Sequence, residues 1–234
     1  MPKTINEGAI FVADVHYPHH GEEIFDLLDL IESQNNPDQQ LFLMGDIFDL
    51  LFGYNHYIQG FSSPLIQRLQ KLSREIEIHY IEGNHDFCLK ELFPHIQVYP
   101  RSKQPIKFKI QEHNVYLSHG DRYARPLSYE IYSRILRNPF SLTLLRPFER
   151  TIIDHRMQKL QQKKICSDFE SFETHVHEIR TYYPKEALII EGHFHQGKKI
   201  QNYISLPSLV CQKQIGIVKR NQIEFIPIAS LTRG

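Results

Sequence analysis

Between residues 9 and 81, apolar and polar positions change rhythm at regular intervals. Ala9-Ile10-Phe11-Val12-Ala13 is a short apolar run that stops at Asp14, which predicts a buried strand. From Glu22 to Ser33 the apolar positions are Ile24, Leu27, Leu28, Leu30 and Ile31, the spacing of a helix. Asn35-Asn36-Pro37-Asp38 breaks it. Leu41-Phe42-Leu43-Met44 is a second strand, ending at Gly45-Asp46. Pro64 to Ser73 is a second helix with Leu65, Ile66, Leu69 and Leu72 on one face. Ile76 to Ile81 alternates as a strand does and runs into Gly83-Asn84-His85-Asp86. Strand, helix, strand, helix, strand argues for an α/β core with a partly parallel sheet.

Past residue 100 the pattern differs. Ile106 to Gln111 and Val115 to Ser118 read as a hairpin around Glu112-His113-Asn114. The stretch from about Tyr123 to Tyr183 reads as mostly helical, with breaks at Pro126, Pro139 and Pro147. Strands resume at Ala187-Leu188-Ile189-Ile190. Short strands follow between Ile200 and Ile228, with Arg220-Asn221 as a hairpin turn.

Composition narrows the function classes. The 234 residues suffice for one domain with a substantial core. Basic and acidic residues balance at 27 each, so the basic excess of a nucleic-acid binder is missing and no nucleic acid is expected as partner. Cys88, Cys166 and Cys211 are widely spaced, odd in number and without a CxxC pair, for which a reducing compartment is the simplest reading. The first residues hold one lysine and an apolar run broken by Asp14, neither a signal peptide nor a span. No stretch approaches the ~20 apolar residues of a spanning helix. A soluble, cytoplasmic protein is expected.

The chemistry sits where the strands end. The first leads to Asp14-Val15-His16, the second to Gly45-Asp46-Ile47-Phe48-Asp49, the third to Gly83-Asn84-His85-Asp86. Later ones lead to Ser118-His119-Gly120-Asp121 and Gly192-His193-Phe194-His195. Ligands of α/β sheets bind beyond the carboxyl ends of the strands, so five such ends can converge on one crevice. Asp, Asn and His are oxygen and nitrogen donors without a thiolate, which disfavours a structural zinc site. A pair of metals about 3.5–4 Å apart with a bridging carboxylate needs about this many ligands.

As an ordered set, DVH, GDIFD, GNHD, SHGD and GHFH resemble the calcineurin-like metallophosphoesterases. The resemblance implies an α/β, four-layer sandwich of two mixed sheets between helices, built as a single domain over 1–234. It implies two divalent metal ions, manganese foremost, with iron or zinc as alternatives. By position, Asp14, His16 and His195 would hold one metal and Asn84, His119 and His193 the other, with Asp46 bridging. The metals would activate water for in-line attack on phosphorus. His85 would be a phosphate-contacting general acid steered by the carboxylate of Asp49, which would fix its tautomer.

The segment of about 122–184 reads as a helical cap inserted in this domain, apolar first and basic afterwards. In length, HGD triplet and cap placement the chain resembles the UDP-2,3-diacylglucosamine pyrophosphatases of lipid A synthesis, whose substrate is a lipid-linked nucleotide. Arg156, Lys159, Lys163 and Lys164 are then the candidate substrate-binding cations. Arg137, Arg146 and Arg150 beside Phe140, Leu144 and Leu145 suit an anionic membrane surface, giving peripheral contact with the inner membrane. The favoured reading of the same residues is that the cap's apolar residues pack it on the core, with the charges as its solvated face. Three features depart from that subfamily. It carries arginine where His85 stands, its cap carries serines and a threonine-like polar set where this one has Gln161, Gln162, Lys163 and Lys164, and its last motif reads GHTHRP rather than GHFHQGK. A histidine can protonate a leaving alkoxide and an arginine cannot. A phosphodiesterase or phosphomonoesterase acting on a soluble substrate therefore stays open. His19 and His20 read as surface loop near the mouth of the site.

Overall fold

Ile10 and Val12 face one way and Phe11 the other, and the protein covers both faces. The computed structural model describes residues 3–123, 126–138, 140–141, 146–162 and 164–231. In chain order these residues form β1 (Lys3–Thr4), β2 (Ile10–Val12), α1 (Glu23–Gln34), β3 (Gln40–Leu43), β4 (Leu51–Phe52), α2 (His56–Phe61), α3 (Ser63–Leu72), β5 (Glu77–Ile81), β6 (Asp86–Phe87) and β7 (Gln97–Tyr99). There follow β8 (Ile106–Ile110), β9 (His113–Ser118), α4 (Leu127–Leu136), α5 (Glu149–Gln161), α6 (Phe172–Arg180), β10 (Leu188–Glu191), β11 (Lys198–Ile200), β12 (Tyr203–Ser205), α7 (Leu209–Gln212), β13 (Gln214–Lys219) and β14 (Gln222–Pro227).

One sheet runs β14-β13-β2-β3-β5-β7, the other β1-β8-β9-β10-β12-β11. β2, β3, β5 and β7 are parallel, as are β9, β10 and β12. Antiparallel neighbours make both sheets mixed. Phe11, Phe42, Met44, Phe108, Leu117 and Ile190 fill the space between them. The opposite faces of the same strands, Ile10, Val12, Leu41 and Leu43, pack with Ile24 and Leu28 of α1 and Leu65 and Leu69 of α3. Beyond the second sheet, Phe172, Val176 and Ile179 of α6 cover Ile189 and Tyr203. The result is helix, sheet, sheet, helix, the expected four layers.

α1 and α3 bury the apolar stripes predicted for them, and α1 ends on Asn35 in the left-handed region, φ 46°. Two local expectations shift. His113 and Asn114 belong to β9, because the hairpin turns on Gln111-Glu112. Arg220-Asn221 does turn the last hairpin, with φ 51° and 63°.

The segment between β9 and β10 divides by role. α6 belongs to the sandwich. α5 buries Ile153, Met157 and Leu160 in the first core cluster, and Tyr57 Oη donates to Asp154 at 2.7 Å. α4 differs, since Leu127, Ile131 and Ile135 along one stripe are 74, 52 and 53 % exposed. Packing thus accounts for Ile153, Met157 and Leu160 of α5, though not for the exposed Ile152, and not for the stripe of α4. Lys163, Leu144 and Leu145 lie outside the described residues, as does the side chain of Arg146. Among the described residues no helix is long and apolar enough to cross a membrane.

The cysteines are not three separate thiols. The fold brings Cys166 and Cys211 together as a disulfide across a sequence separation of 45. Local spacing cannot show such a contact, and the argument for a reducing compartment loses its footing.

Candidate metal centre

The parallel strands β2, β3 and β5 of one sheet and β9 and β10 of the other end at the same edge of the sandwich. Just past those ends, the ligand atoms of Asp14, His16 and His195 lie within 4.8 Å of one another. Those of Asp46, His119 and His193 form a second group by the same measure. Asn84 joins the second, with Oδ1 at 3.2 Å from His119 Nε2. All seven expected ligands therefore meet, divided as the motif order implies. Asp46 touches its neighbours through both oxygens. Oδ1 accepts the His85 N–H at 2.9 Å, and Oδ2 lies 3.4 Å from His119 Nε2.

The backbone is bent to bring them there. Asp14, His16, Asp46, His193 and His195 have φ of 54°, 55°, 52°, 59° and 55°, where non-glycine residues are uncommon. Each such residue costs roughly 1–2 kcal/mol, and strain of this kind gathers at functional sites. Gly83 serves space rather than a special φ. A Cβ there would run into Asp46 Oδ1, and one on Gly45 into the His119 ring.

Three of the four candidate ligand histidines are held by their other ring nitrogen. His119 Nδ1 donates to the Met44 carbonyl at 2.9 Å. His16 Nδ1 lies 3.5 Å from Asp49 Oδ1, and His195 Nδ1 lies 3.7 Å from Cys211 Sγ. Such outer partners fix the ring and its tautomer for metal binding. His16 Nε2 and Asp14 Oδ2 are buried and have no hydrogen-bond partner. Buried polar atoms ordinarily do, so the donor set fits a pair of cations. Charge agrees. Burial opposes ionisation of Asp46, yet His119, His85 and His16 hold its carboxyl well below the usual carboxylate range. Burial likewise disfavours a charged His119, but the carboxylates of Asp46, Asp121 and Asp14 together outweigh it and hold the ring up at about 10.

His85 sits beside this pair, its ring 5.2 Å from that of His16. Its steering contact differs from expectation. His85 Nδ1 donates to the backbone carbonyl of Asp49 at 2.6 Å. The Asp49 carboxylate is engaged by His16 and by His19, whose Nδ1 donates at 2.6 Å. Burial works against the charge on Asp49, and the two histidines more than offset it, lowering its pKa. A carbonyl only accepts, so the His85 tautomer is still set, and acid–base work falls to Nε2. His19, expected as surface loop, is part of the structure behind the site.

Asp86 was also not singled out by the motif pattern. Its carboxylate accepts N–H groups from Asp46, Ile47, Phe48 and Gly83 and the hydroxyl of Tyr80. It thereby ties the Gly45-Asp46 turn to the Gly83-Asn84 turn. Burial, and then Asp46, push it up to about 7 against those donors. Arg137, expected at a membrane surface, instead turns inward. It donates to the Gly83 carbonyl at 2.8 Å and stacks over Phe87.

A cavity of about 200 Å³ opens above the centre. His16, Asp46, Asn84, His85, His193 and His195 line it, together with Lys164, Ile165, Ser167 and Phe194. Lys164 thus joins the site. Arg156 and Lys159 are exposed on α5 and are not among its lining residues.

A family model described as calcineurin-like phosphoesterase matches residues 9–197. A UDP-2,3-diacylglucosamine hydrolase of Pseudomonas putida is 28 % identical over 140 residues, 58 % of this chain and 58 % of that protein. One from Porphyromonas gingivalis is 29 % identical over 147 residues, 57 % and 54 %. The matched stretch thus spans under two thirds of those relatives. Among solved structures, the phosphoesterase YfcE from E. coli aligns at TM-score 0.48 and 13 % identity, covering 95 % of this chain and 94 % of that one. A dimetal phosphatase from Danio rerio aligns at 0.47 and 15 %, covering 92 % and 93 %.

Proposed function

The chain belongs to the calcineurin-like phosphoesterase family, and on that premise we propose that it is a two-metal hydrolase cleaving UDP-2,3-diacylglucosamine to 2,3-diacylglucosamine 1-phosphate and UMP. The observation that carries the hydrolase reading is the pair of ligand groups at converging strand ends, with buried donor atoms lacking partners. Asp14, His16 and His195 would hold one ion and Asn84, His119 and His193 the other, with Asp46 placed to serve both. Bound, the ions would supply an activated water and neutralise charge on the phosphoryl oxygens; the family resemblance points to manganese, with iron or zinc as alternatives. Lys164 draws the diphosphate into the cavity. His85, fixed through Nδ1, contacts the phosphoryl group and delivers a proton from Nε2 to the departing oxygen.

The lipid-linked substrate is supported by the names of the relatives and by α4. Its exposed stripe of Leu127, Ile131 and Ile135 runs to a C-terminal end where Arg137 reaches the Gly83 carbonyl beside Asn84. Acyl chains along that stripe, on the cap of the single domain, would leave the diphosphate free to reach the metal centre. The same stripe, with exposed Phe140 and Phe148, suits peripheral contact with a cytoplasmic membrane face. A second reading, a phosphodiesterase acting on a soluble substrate, is favoured by His85, because an alkoxide needs a proton more than UMP does.

One assay decides between them. Manganese-loaded protein is given UDP-2,3-diacylglucosamine beside bis(4-nitrophenyl) phosphate. Turnover of the first, abolished by a chelator and restored by manganese, is expected. Hydrolysis of the aryl diester alone would sink the lipid reading.

A further inference from the structure

The disulfide lies against the site rather than in a remote loop. Lys164, Ile165 and Ser167 line the cavity, and Cys166 stands among them. Residues 164–168 belong to no helix or strand, and among the described residues no hydrogen bond or ion pair holds them. The other end of the cross-link is firmly anchored. Cys211 is on α7, where Leu209 N–H donates to the Ala13 carbonyl and Ser208 Oγ to the Asp14 carbonyl. Gln212 Nε2 donates to the His195 carbonyl at 2.6 Å. A strap without polar contacts of its own is thus pinned to an anchor fastened behind two candidate ligands.

We propose that the Cys166–Cys211 disulfide is a positioning element that holds Lys164 over the phosphate-binding cavity, so that a dithiol reductant lowers the affinity of the site for phosphoryl groups. The proposal rests on the hydrolase reading above. A tether of this kind acts by removing freedom from the strap, and a preorganised cation binds better than a mobile one. Cys166 is exposed, so a dithiol can reach it. Attack by a thiolate on one sulfur gives a mixed disulfide, and closure of the second thiol releases the cyclic disulfide. The protein gains two electrons and two protons as two thiols, and the dithiol loses them. Cys88 stays out of this exchange: burial, and then Glu82, push its thiol up to about 12.

The test begins with a thiol count on denatured protein purified in air. The disulfide predicts one of the three cysteines titrating, and three once reduced. Three without reductant would overturn the proposal. Cys166→Ser opens the link with no reductant to compete for metal. Its KM for bis(4-nitrophenyl) phosphate should rise about tenfold, with kcat and metal content unchanged. Lys164→Gln should do the same, and the double variant should add little to either. An unchanged KM in Cys166→Ser, or fully multiplying effects, would overturn it. Calorimetry of inorganic phosphate on the manganese-loaded protein reads the strap without turnover. Weaker binding by Cys166→Ser is expected, and equal binding is against it. No diester turnover in any form, with this phosphate difference intact, would remove the aryl diester as a substrate and leave the strap standing.

Discussion

His85 shows how much depends on a single nitrogen. Its Nδ1 is committed to the Asp49 carbonyl, which leaves the ring one position for proton transfer. His85→Ala should lower turnover of a poor-leaving-group ester by about 10²-fold or more. Metal content, measured by atomic emission, should hold; loss of metal would make His85 a ligand instead. His79 is a residue of the opposite kind. It is buried, stacked on Phe42 at 4.5 Å, with Nδ1 3.0 Å from Tyr99 Oη. Burial brings its pKa down to about 4, helped by Lys3 and opposed by Glu77. The folded state therefore resists its protonation. Stability from this source is whole above pH about 6.5 and is lost as pH falls toward 4, on the order of 3 kcal/mol. Urea unfolding should show that decline, and His79→Phe should flatten it. An equal decline in the variant would assign the effect to other groups.

At the scale of elements, the site is a set of strand ends held in register by one carboxylate. Asp86 gathers N–H groups from both the Asp46 turn and the Gly83 turn. Asp86→Asn replaces an acceptor oxygen with a donor that faces other donors. Metal affinity should fall by about 10- to 100-fold, as measured by chelator competition, with the helical circular dichroism retained. Unchanged affinity would mean that the turns hold themselves. The strands and main helices were legible because their side-chain period of 2 or 3.6 is local. The candidate ligands were legible for a related reason: each motif follows its strand directly, as GNHD follows β5. The partners behind them were not. Asp49 reaches His19 across 30 residues and His85 through its backbone, and no period in the chain announces either.

Across the whole molecule, the helices between β9 and β10 do two jobs. α5 and α6 are packed, whereas α4 offers its stripe to solvent. If that stripe meets a membrane or acyl chains, Ile131→Glu should weaken co-sedimentation with anionic vesicles and slow turnover of the lipid-linked substrate. Turnover of the aryl diester and the thermal midpoint should be unaffected. Equal sedimentation of variant and parent would remove the stripe from the account.

Local order in the chain was enough to determine the α/β character, the approximate bounds of the main core strands and of α1 and α3, and the seven candidate ligands. Those depend on short-range periodicity and on residue types placed directly after strands. Tertiary structure alone decided that Asp49 would back His16 and His19, that Asp86 would tie two turns, that Arg137 would turn inward, and that Cys166 would meet Cys211. These are contacts between positions far apart in the chain, and they exist only once two sheets have closed on a shared core.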